Sequence, residues 1–304
     1  MTDTAHMTQS KIAVVGAGTM GAGIASVFAA LGWQVALYSR SQTTLDTARS
    51  IVEAGAGSAA AHVLYTTSLQ ACLENADVVS ENLAENPELK KTVLREVEQQ
   101  VPPTCLLSTN TSSVPITQLA TALRCPQRLI GIHWFNPPQV MPLVEIVLGE
   151  ATADDVVAQA QALAKAAGKA SIIVRQDCPG FVVNRLQYAM LREALFLVEQ
   201  GVASMADVDL AVESTLAPRW SACGPLRLMD MAGLDTVKNV SAILMPALSN
   251  ATDIPALVTQ RVAEGALGTK TGRGFYPWTE ESAASARSRR DQMVTHARKV
   301  ASHD

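Results

Sequence analysis

The sequence predicts an α/β protein: a Rossmann-type, doubly wound and mostly parallel sheet domain, followed by a smaller all-α domain. Three observations lead to this fold class. Short apolar runs alternate with helical segments from Lys11 to Val174, a glycine-rich turn follows the first run, and only helical patterns follow Pro179. With 304 residues, of which 48% are hydrophobic, the chain is long enough for two domains. We place them at residues 1–178 and 179–304.

The first predicted strand and the turn after it indicate a dinucleotide site. Residues 11–15 are predicted to form a short buried strand, apolar from Ile12 onwards, and Gly16-x-Gly18-x-x-Gly21 leads from it directly into a helix of small residues. Glycines let the backbone turn tightly and approach a pyrophosphate, while the helix N-terminus offers free N–H groups to the phosphates. The predicted cofactor contacts at this turn are Gly16, Gly18, Thr19, Met20 and Gly21.

The end of the second predicted strand bears on the choice between NAD and NADP. Ser39 and Arg40 follow residues 34–38 at the place where an NAD-preferring fold usually has Asp or Glu. A hydroxyl and a guanidinium can bind the 2′-phosphate of NADP through charge-assisted hydrogen bonds. We therefore expect NAD(P) as the cofactor, with NADP(H) favoured. The alternative is that Arg40 is a solvated loop arginine in an enzyme that uses NAD.

The later elements continue the alternation and then change to helices only. Further strands are predicted at residues 62–66, 77–81, 105–109, 129–133, 143–148 and 171–174, with helices at 87–100 and 152–167. The helical domain is predicted to contain helices at 181–201, 204–216, 225–248 and 254–264. Apolar residues occupy more than one face of helix 181–201, so we expect a homodimer formed through the helical domain.

Composition argues against several classes of protein. The net charge of −4 and the lack of a basic stripe disfavour a nucleic-acid partner. Residues 12–39 are uncharged, but their glycines and Gln34 favour a buried βαβ unit over a membrane span. Residues 1–9 lack the apolar core of a signal peptide. Five scattered cysteines without a CxxC spacing indicate reduced thiols, so we expect a cytoplasmic protein.

Neither the histidines nor the basic C-terminal tail indicates a further site. The five histidines show no metal-ligand spacing, so we predict no metal. The tail after Trp278 is interpreted as a solvated helix, with a basic binding arm as the alternative. Its basic residues are Arg287, Arg289, Arg290, Arg298 and Lys299.

Polar residues after the later strands predict acid/base chemistry. The run Ser-Thr-Asn-Thr-Ser-Ser at 108–113, the run His-Trp-Phe-Asn-Pro-Pro at 133–138, and Glu145 supply a hydroxyl, an imidazole and a carboxylate. Together with a dinucleotide site, this combination suits removal of a proton and a hydride from a secondary alcohol. The predicted substrate is a hydroxy acid or a hydroxyacyl compound. Ser112 could also cap the helix that follows it.

Taken in order, these motifs resemble the 3-hydroxyacyl-CoA dehydrogenase family. The resemblance covers the chain from Lys11 to Trp278 and is specific because the motifs occur together. They are Gly16-x-Gly18-x-x-Gly21, Glu85 with Lys90, residues 108–113, residues 133–137, Glu145, Pro179-Gly180-Phe181-Val182-Val183-Asn184-Arg185, Gly224-Pro225-Leu226, and Lys270-Thr271-Gly272-x-Gly274-Phe275-Tyr276.

The resemblance implies a two-domain enzyme with its active site between the sheet domain and the helical domain. His133 would be the general base that accepts the hydroxyl proton, and Glu145 would orient and stabilise it. Ser112 and Asn184 would hydrogen-bond the substrate oxygen or the base. The residues that match cofactor-contacting positions are Glu85, Lys90 and Asn110.

Two departures from the family pattern bear on the substrate. Between Ser39 and Glu81 the chain is shorter than the family norm, which trims an arm that would hold CoA. The residues before Gly224 are similar to those of relatives that oxidise free hydroxy acids such as gulonate or carnitine. There Arg219 could pair with a substrate carboxylate, with Asn136 as a further substrate contact. A small, carboxylate-bearing 3-hydroxy acid is slightly favoured, and a 3-hydroxyacyl-CoA thioester such as 3-hydroxybutyryl-CoA is the alternative.

Two other interpretations remain open at the level of sequence. One is a non-catalytic nucleotide-binding protein that has kept the fold, since a fold does not guarantee activity. The other is the related family of small hydroxy-acid dehydrogenases with a catalytic lysine, to which Lys238-Asn239 is a faint match. Replacing His133 and, separately, Lys238 distinguishes the lysine-dependent family from the leading interpretation.

Overall fold

The computed structural model describes residues 10–301 of the chain and divides it into two compact units. The boundary lies between Arg185 and Leu186, a few residues after the boundary predicted from the sequence. The first unit is an eight-stranded sheet with helices, and the second is helical. The predicted fold class is confirmed.

The sheet has the strand order β3-β2-β1-β4-β5-β6-β7-β8, and every neighbouring pair is parallel except β6 and β7. The strands are β1 Lys11–Val15, β2 Gln34–Tyr38, β3 Leu64–Thr66, β4 Val78–Glu81, β5 Leu106–Thr109, β6 Leu129–Trp134, β7 Leu143–Leu148 and β8 Ala170–Val174. The helices of this unit are α1 Thr19–Ala30, α2 Gln42–Ala56, α3 Leu69–Leu73, α4 Pro87–Gln100, α5 Ile116–Ala120 and α6 Asp154–Ala166.

Helices cover both faces of the sheet, and each face has its own apolar core. Along β1, Ile12 and Val14 belong to one core, while Ala13 and Val15 belong to the other. Because successive side chains point to opposite faces, a strand that is covered on both sides is apolar throughout. This burial explains why the strand at 11–15 could be located from the apolar run of residues 12–15.

The helical unit differs from its predicted elements. Its helices are α7 Val183–Glu199, α8 Met205–Ala211, α9 Ala217–Ala232, α10 Leu234–Leu244, α11 Ala256–Ala263 and α12 Glu280–Ala301, and α7 starts before the unit boundary. The single helix predicted at 225–248 is wrong. Gly233 has φ of +89°, a conformation that ends α9, and Gly224, with φ of +65°, kinks α9 before Pro225. A π-helical stretch, Val212–Leu216, extends α8.

The C-terminal tail forms α12, on which Arg287, Arg289 and Arg290 are exposed. The side chains of Arg298 and Lys299 lie outside the described residues. Between residues 10 and 301, none of the helices has both the length and the apolarity needed to cross a membrane.

Candidate active site

The predicted site residues of the sheet unit gather where β1, β4, β5 and β6 end. Backbone N–H of Asn82 donates to the carbonyl of Val15 at 2.7 Å, and that of Asn110 donates to the carbonyl of Glu81 at 2.8 Å. The Asn110 side chain accepts from the Trp134 N–H at 2.8 Å and donates to the Asn82 side chain at 2.9 Å. The four strand ends are therefore tied together at the edge where doubly wound sheets bind ligands.

The glycine turn after β1 fits a dinucleotide phosphate. Gly16 has φ of +111°, and a Cβ atom there would lie 2.6 Å from the carbonyl oxygen of Asn82. A Cβ atom on Gly21 would collide with the carbonyl of Gly16. By contrast, a Cβ atom on Gly18 would meet no protein atom within 4 Å. Since no side chain caps α1, which begins at Thr19, its first N–H groups remain free for an anion.

The end of β2 leaves one cation exposed. The hydroxyl of Ser39 accepts a hydrogen bond from the Ser41 N–H at 3.2 Å, which closes the turn into α2. Arg40 is exposed, and its guanidinium has no hydrogen-bond or ion-pair partner among residues 10–301. An anionic group can therefore reach Arg40 without breaking an existing contact.

His133 and Glu145 form the central polar pair of the site. The antiparallel register of β6 and β7 sets them opposite each other, and His133 Nδ1 lies 2.7 Å from Glu145 Oε2. Both are buried, with 5% and 0% of their surfaces exposed. An ionised carboxylate only accepts, so neutral His133 carries its proton on Nδ1 and keeps a lone pair on Nε2. The pair has the form of a general base with an orienting acid.

Backbone amides hold the second oxygen of Glu145. The N–H groups of Val182 and Val183 each donate to Oε1 at 2.9 Å, where α7 begins. Phe181, with φ of +49°, turns the chain so that both amides face the carboxylate. Burial alone would raise the pKa of Glu145, but the hydrogen bonds from His133, Val183 and Val182 outweigh it and lower that pKa. Glu145 is therefore an anion at neutral pH.

Two aromatic rings flank the imidazole of His133. The ring centroid of Phe135 lies 4.7 Å away at an interplanar angle of 64°, and that of Phe181 lies 5.5 Å away at 66°. Edge-to-face packing of this kind fixes the plane of the imidazole and excludes water from its sides. Phe181 thus shapes the site through its ring as well as its backbone.

Ser112 lies in a loop that converges on Glu85. Glu85 Oε1 accepts from the Ser112 N–H at 2.6 Å, from the Ser112 hydroxyl at 3.1 Å and from the Thr111 hydroxyl at 2.8 Å. The N–H and hydroxyl of Ser113 donate to the same oxygen. Burial works against ionisation, but the charge of Lys90 and these hydrogen bonds outweigh it and lower the pKa of Glu85 to about 2.

Behind this loop lies a charge cluster of Glu81, Glu85 and Lys90, of which the sequence analysis did not identify Glu81. Lys90 Nζ lies 3.0 and 3.1 Å from the two oxygens of Glu81 and 3.2 Å from Glu85, and donates to the carbonyl of Leu83 at 3.1 Å. The sequence signal for Glu81 is a carboxylate at the end of the apolar strand β4. That strand lies beside β5, and Ser112 comes shortly after β5. Lys90 as a cofactor contact stays a prediction, and its ammonium is occupied by these groups.

The remaining predicted residues are less tightly held. Asn136 is exposed, and its peptide bond to Pro137 is cis. Asn184 is half-buried in the first turn of α7, and within residues 10–301 its side chain has no hydrogen-bond partner. Arg219 belongs to the helical unit, where it is exposed on α9 and its Nε donates to the carbonyl of Thr215 at 2.9 Å. Their roles stay predictions.

Metal ligands do not cluster in the part of the chain that the structure describes. Between residues 10 and 301, no group of three or more His, Cys, Asp or Glu side chains is arranged to hold a metal ion. His6 and His303 lie outside the described residues.

The comparison with protein families follows this geometry. The model of the NAD-binding domain of 3-hydroxyacyl-CoA dehydrogenase matches residues 11–178, and that of its C-terminal domain matches residues 180–278. The chain belongs to the 3-hydroxyacyl-CoA dehydrogenase family. It is therefore an NAD(P)-dependent oxidoreductase that acts on a CH–OH group, which confirms the predicted family and enzyme class.

Relatives in this family differ in the compounds that they are named for. The 5-formyl-3-hydroxy-2-methylpyridine 4-carboxylate 5-dehydrogenase of Mesorhizobium japonicum is 34% identical over an alignment of 305 residues. The alignment covers 95% of this chain and 97% of that protein. A probable 3-hydroxybutyryl-CoA dehydrogenase of Bacillus subtilis is 35% identical over 291 residues, covering 91% and 100%.

Solved structures of the family agree with this assignment. A crystal structure of 5-formyl-3-hydroxy-2-methylpyridine 4-carboxylic acid 5-dehydrogenase, an NAD⁺-dependent dismutase, superposes with a TM-score of 0.89 at 34% identity. The match covers 95% of this chain and 97% of that one.

Proposed function

We propose that the protein interconverts a 3-hydroxy and a 3-oxo compound with His133 as general acid/base and Glu145 as its partner. The observation that carries this proposal is the 2.7 Å hydrogen bond that leaves Nε2 of a buried imidazole as an acceptor. A group that exchanges the hydroxyl proton must have this form, because the carbonyl forms only as that proton leaves.

The oxidation follows from the polar groups at the ends of the strands. Bound NAD(P)⁺ would supply the hydride acceptor, held at the phosphates by Gly16, Gly18, Thr19, Met20 and Gly21. Nε2 of His133 takes the hydroxyl proton, and the imidazolium is stabilised by the adjacent Glu145 carboxylate. Ser112 and Asn184 hydrogen-bond the substrate oxygen. In the reverse direction, the imidazolium returns the proton to that oxygen.

Replacing the base tests this assignment against its rivals. We expect His133→Asn to lower kcat/KM by about 10²- to 10⁴-fold, the usual contribution of a general base. Lys238→Met is the matched control and should retain activity. Loss of activity in Lys238→Met with His133→Asn still active would favour the lysine-dependent mechanism. A wild-type protein that binds NADH but turns over no 3-oxo acid or thioester would favour a non-catalytic role.

A substitution in the glycine turn tests the cofactor cradle. A Cβ atom on Gly18 meets no protein atom within 4 Å, so Gly18→Ala should fold normally. The added methyl would occupy space that the proposal assigns to the pyrophosphate. We therefore expect an unchanged melting temperature and a dissociation constant for NADH raised by about tenfold or more. Wild-type NADH affinity in Gly18→Ala would contradict the placement of the phosphates.

We further propose that Ser39 and Arg40 accept the 2′-phosphate of NADP(H), and that NADP(H) is favoured. The exposed guanidinium of Arg40, which has no partner within residues 10–301, supports this, although the solved relative named above is NAD⁺-dependent. Arg40→Ala should lower kcat/KM for NADP by about tenfold, the loss of one charge-assisted hydrogen bond, and leave that for NAD unchanged. A large preference of the wild type for NAD would contradict the proposal.

For the substrate, we propose a small carboxylate-bearing 3-hydroxy acid. The short connection from β2 to β3 and a relative named for a pyridine carboxylate support it. The relatives named for 3-hydroxybutyryl-CoA favour the thioester as second candidate. NADH and NADPH oxidation with 3-oxo acids and with their CoA thioesters distinguishes the two.

Arg219 and Asn136 are the proposed specificity contacts. Arg219→Ala should raise the KM for a free acid by an amount that corresponds to about 1.5–3 kcal/mol, the value of a hydrogen bond to a charged group. Arg227→Ala changes another exposed arginine of α9 and is the control. Equal KM values in the two variants would remove Arg219 from the site.

We also propose a cytoplasmic homodimer that is formed through the helical unit. Leu226, Met231, Ile243 and Ile254 are each more than 70% exposed, which is unusual for large apolar side chains of a monomer. All five cysteines are unpaired, as in a reducing compartment. Sedimentation should give a dimer at micromolar concentration and a monomer for a Leu226→Asp/Ile243→Asp variant. A monomeric wild type would contradict the proposal.

A further inference from the structure

Glu81 is a fully buried carboxylate behind the loop of residues 111–113. It ends β4 and has no exposed surface. Its Oε1 accepts from the Leu83 N–H at 2.6 Å, and its Oε2 accepts from the Thr109 hydroxyl at 2.6 Å. Both oxygens also accept from Lys90. A carboxylate with this many donors is held rigidly in one orientation.

One route from Glu81 to Ser112 runs through two threonines. Because the Thr109 hydroxyl donates its proton to Glu81, its oxygen is left to accept from the Thr111 N–H at 3.3 Å. Thr111 in turn accepts from the Val114 N–H at 3.0 Å, which closes the loop around Ser112. The orientation of the Thr109 hydroxyl thus depends on Glu81.

A second route runs through charges. Lys90 lies between Glu81 and Glu85, 3.0 Å from one carboxylate and 3.2 Å from the other. Glu85 is therefore held in place on one side by Lys90 and on the other by the N–H and hydroxyl of Ser112. Without the charge of Glu81, the ammonium would be drawn towards Glu85 alone.

The two routes converge on the hydroxyl of Ser112. In the loop as it stands, the Ser112 N–H and hydroxyl both donate to Glu85 Oε1. Because the N–H alone keeps the loop on Glu85, the hydroxyl can rotate and donate its proton to the substrate oxygen, whose own proton goes to His133. A loop released from Glu85 would no longer hold the Ser112 hydroxyl at this position.

We propose that Glu81 is a positioning residue for the reaction, because it fixes the loop 111–113 and thereby the hydroxyl of Ser112. This inference rests on the proposed function, in which Ser112 binds the substrate oxygen. Glu81 itself contacts no reacting atom. Its contribution passes through Thr109 on one route and through Lys90 and Glu85 on the other.

A double-mutant cycle tests the inference. Glu81→Gln and Ser112→Ala should each lower kcat/KM of the wild-type enzyme by about ten- to a hundredfold. Since both substitutions disable the same hydroxyl, kcat/KM of the double variant should be no more than about threefold below that of the less active single variant.

Glu98→Gln is the matched control for a merely structural role. Glu98 is also a buried carboxylate of this unit, and it accepts the N–H groups of Arg124 and Cys125 at 2.8 Å each. None of its hydrogen bonds involves residues 111–113. We expect Glu98→Gln to lower the melting temperature and to leave kcat/KM within about twofold of wild type. Glu81→Gln should lower both quantities.

The outcomes separate this inference from the proposed function. A Ser112→Ala variant with wild-type kcat/KM would overturn the role of Ser112 itself. Two results would overturn only the positioning role of Glu81. One is a kcat/KM that falls in Ser112→Ala but not in Glu81→Gln, and the other is a double variant whose loss of kcat/KM is the product of the two single losses. If Glu81→Gln fails to fold, Thr109→Val replaces it in the cycle. That variant removes only the hydroxyl that links Glu81 to Thr111, and multiplying defects would again overturn the inference.

Discussion

Replacing Lys90 by methionine should be among the most destabilising single substitutions in the sheet unit. Lys90 is 1% exposed, and its ammonium lies 3.0 and 3.1 Å from the oxygens of Glu81, which is 0% exposed. Methionine keeps much of the length and apolar stem of the side chain, so packing changes little. The loss is electrostatic, because the substitution leaves Glu81 as a buried anion with no cation beside it.

The expected magnitude follows from this burial. Removing one partner of a buried ion pair destabilises a protein by about 3–5 kcal/mol, since the remaining charge is uncompensated. Glu81 would still accept from Leu83 and Thr109, which places Lys90→Met towards the lower end of that range. A domain is stable by only about 5–15 kcal/mol, so the loss would be a large fraction of the total.

Equilibrium urea unfolding at pH 7, followed by circular dichroism, measures the loss. The matched control is Lys91→Met, because Lys91 pairs at 3.2 Å with Glu88, whose side chain is 81% exposed. That pair should contribute less than about 1 kcal/mol. Adding Glu81→Gln to Lys90→Met should restore part of the stability, because the uncompensated anion is removed. A loss no larger in Lys90→Met than in Lys91→Met would refute the reasoning.

Three further predictions concern the site. Glu145→Gln should lower kcat/KM by about 10²-fold or more, because in either orientation of the glutamine amide its NH₂ group faces another hydrogen-bond donor, His133 or the amides of Val182 and Val183. A loss below tenfold would contradict the assignment of His133 as the base. The pKa of Glu85 is about 2 against an ordinary 4.5, so its ionised form stabilises the fold above pH 4.5, and this contribution is lost as the pH falls towards 2. Glu85→Gln should therefore lower the unfolding free energy at pH 7 by about 1–2 kcal/mol, a value discounted for the partial exposure of Glu85. The difference in unfolding free energy between the wild type and the variant should shrink on acidification. A difference that does not change with pH would contradict this prediction. Gly16→Ala should destabilise more than Gly32→Ala, measured by thermal unfolding, because both have positive φ but only Gly16 faces a carbonyl oxygen at 2.6 Å; equal losses would contradict this.

Much of the sheet unit could be predicted because local signals and tertiary burial agree there. Helix α4 has the predicted bounds, Pro87–Gln100, since Asn86 caps its first N–H groups and Pro87 suits the first turn. In the helical unit the apolar pattern runs through residues 225–248, and only the positive φ of Gly233 shows where one helix ends. Positive φ is a property of the backbone that a hydropathy pattern does not contain.

The site was predictable in part for a similar reason. Order along the chain identified His133, Glu145, Ser112 and Glu85, because each belongs to a motif. The hydrogen bond from Ser112 to Glu85 depends on how β4 and β5 end side by side, which no spacing in the sequence specifies. Glu81 was missed because it belongs to no motif that the sequence analysis used, and its partners Thr109 and Lys90 are brought to it only by the fold.

In the proposed mechanism, the start of α7 belongs to the acid/base unit, and the geometry at Glu145 explains why. The carboxylate must remain an anion whether His133 is neutral or protonated, and the amides of Val182 and Val183 provide donors that do not change during the reaction. Water could provide donors as well, but it would have to reorient at each proton transfer, and Phe135 and Phe181 exclude it from the imidazole. Phe181 therefore contributes in two ways. Its backbone conformation orients the amides of Val182 and Val183 towards the carboxylate, and its ring packs against the imidazole of His133. A substitution at Phe181 should for this reason affect proton transfer more than the loss of one packed ring would suggest.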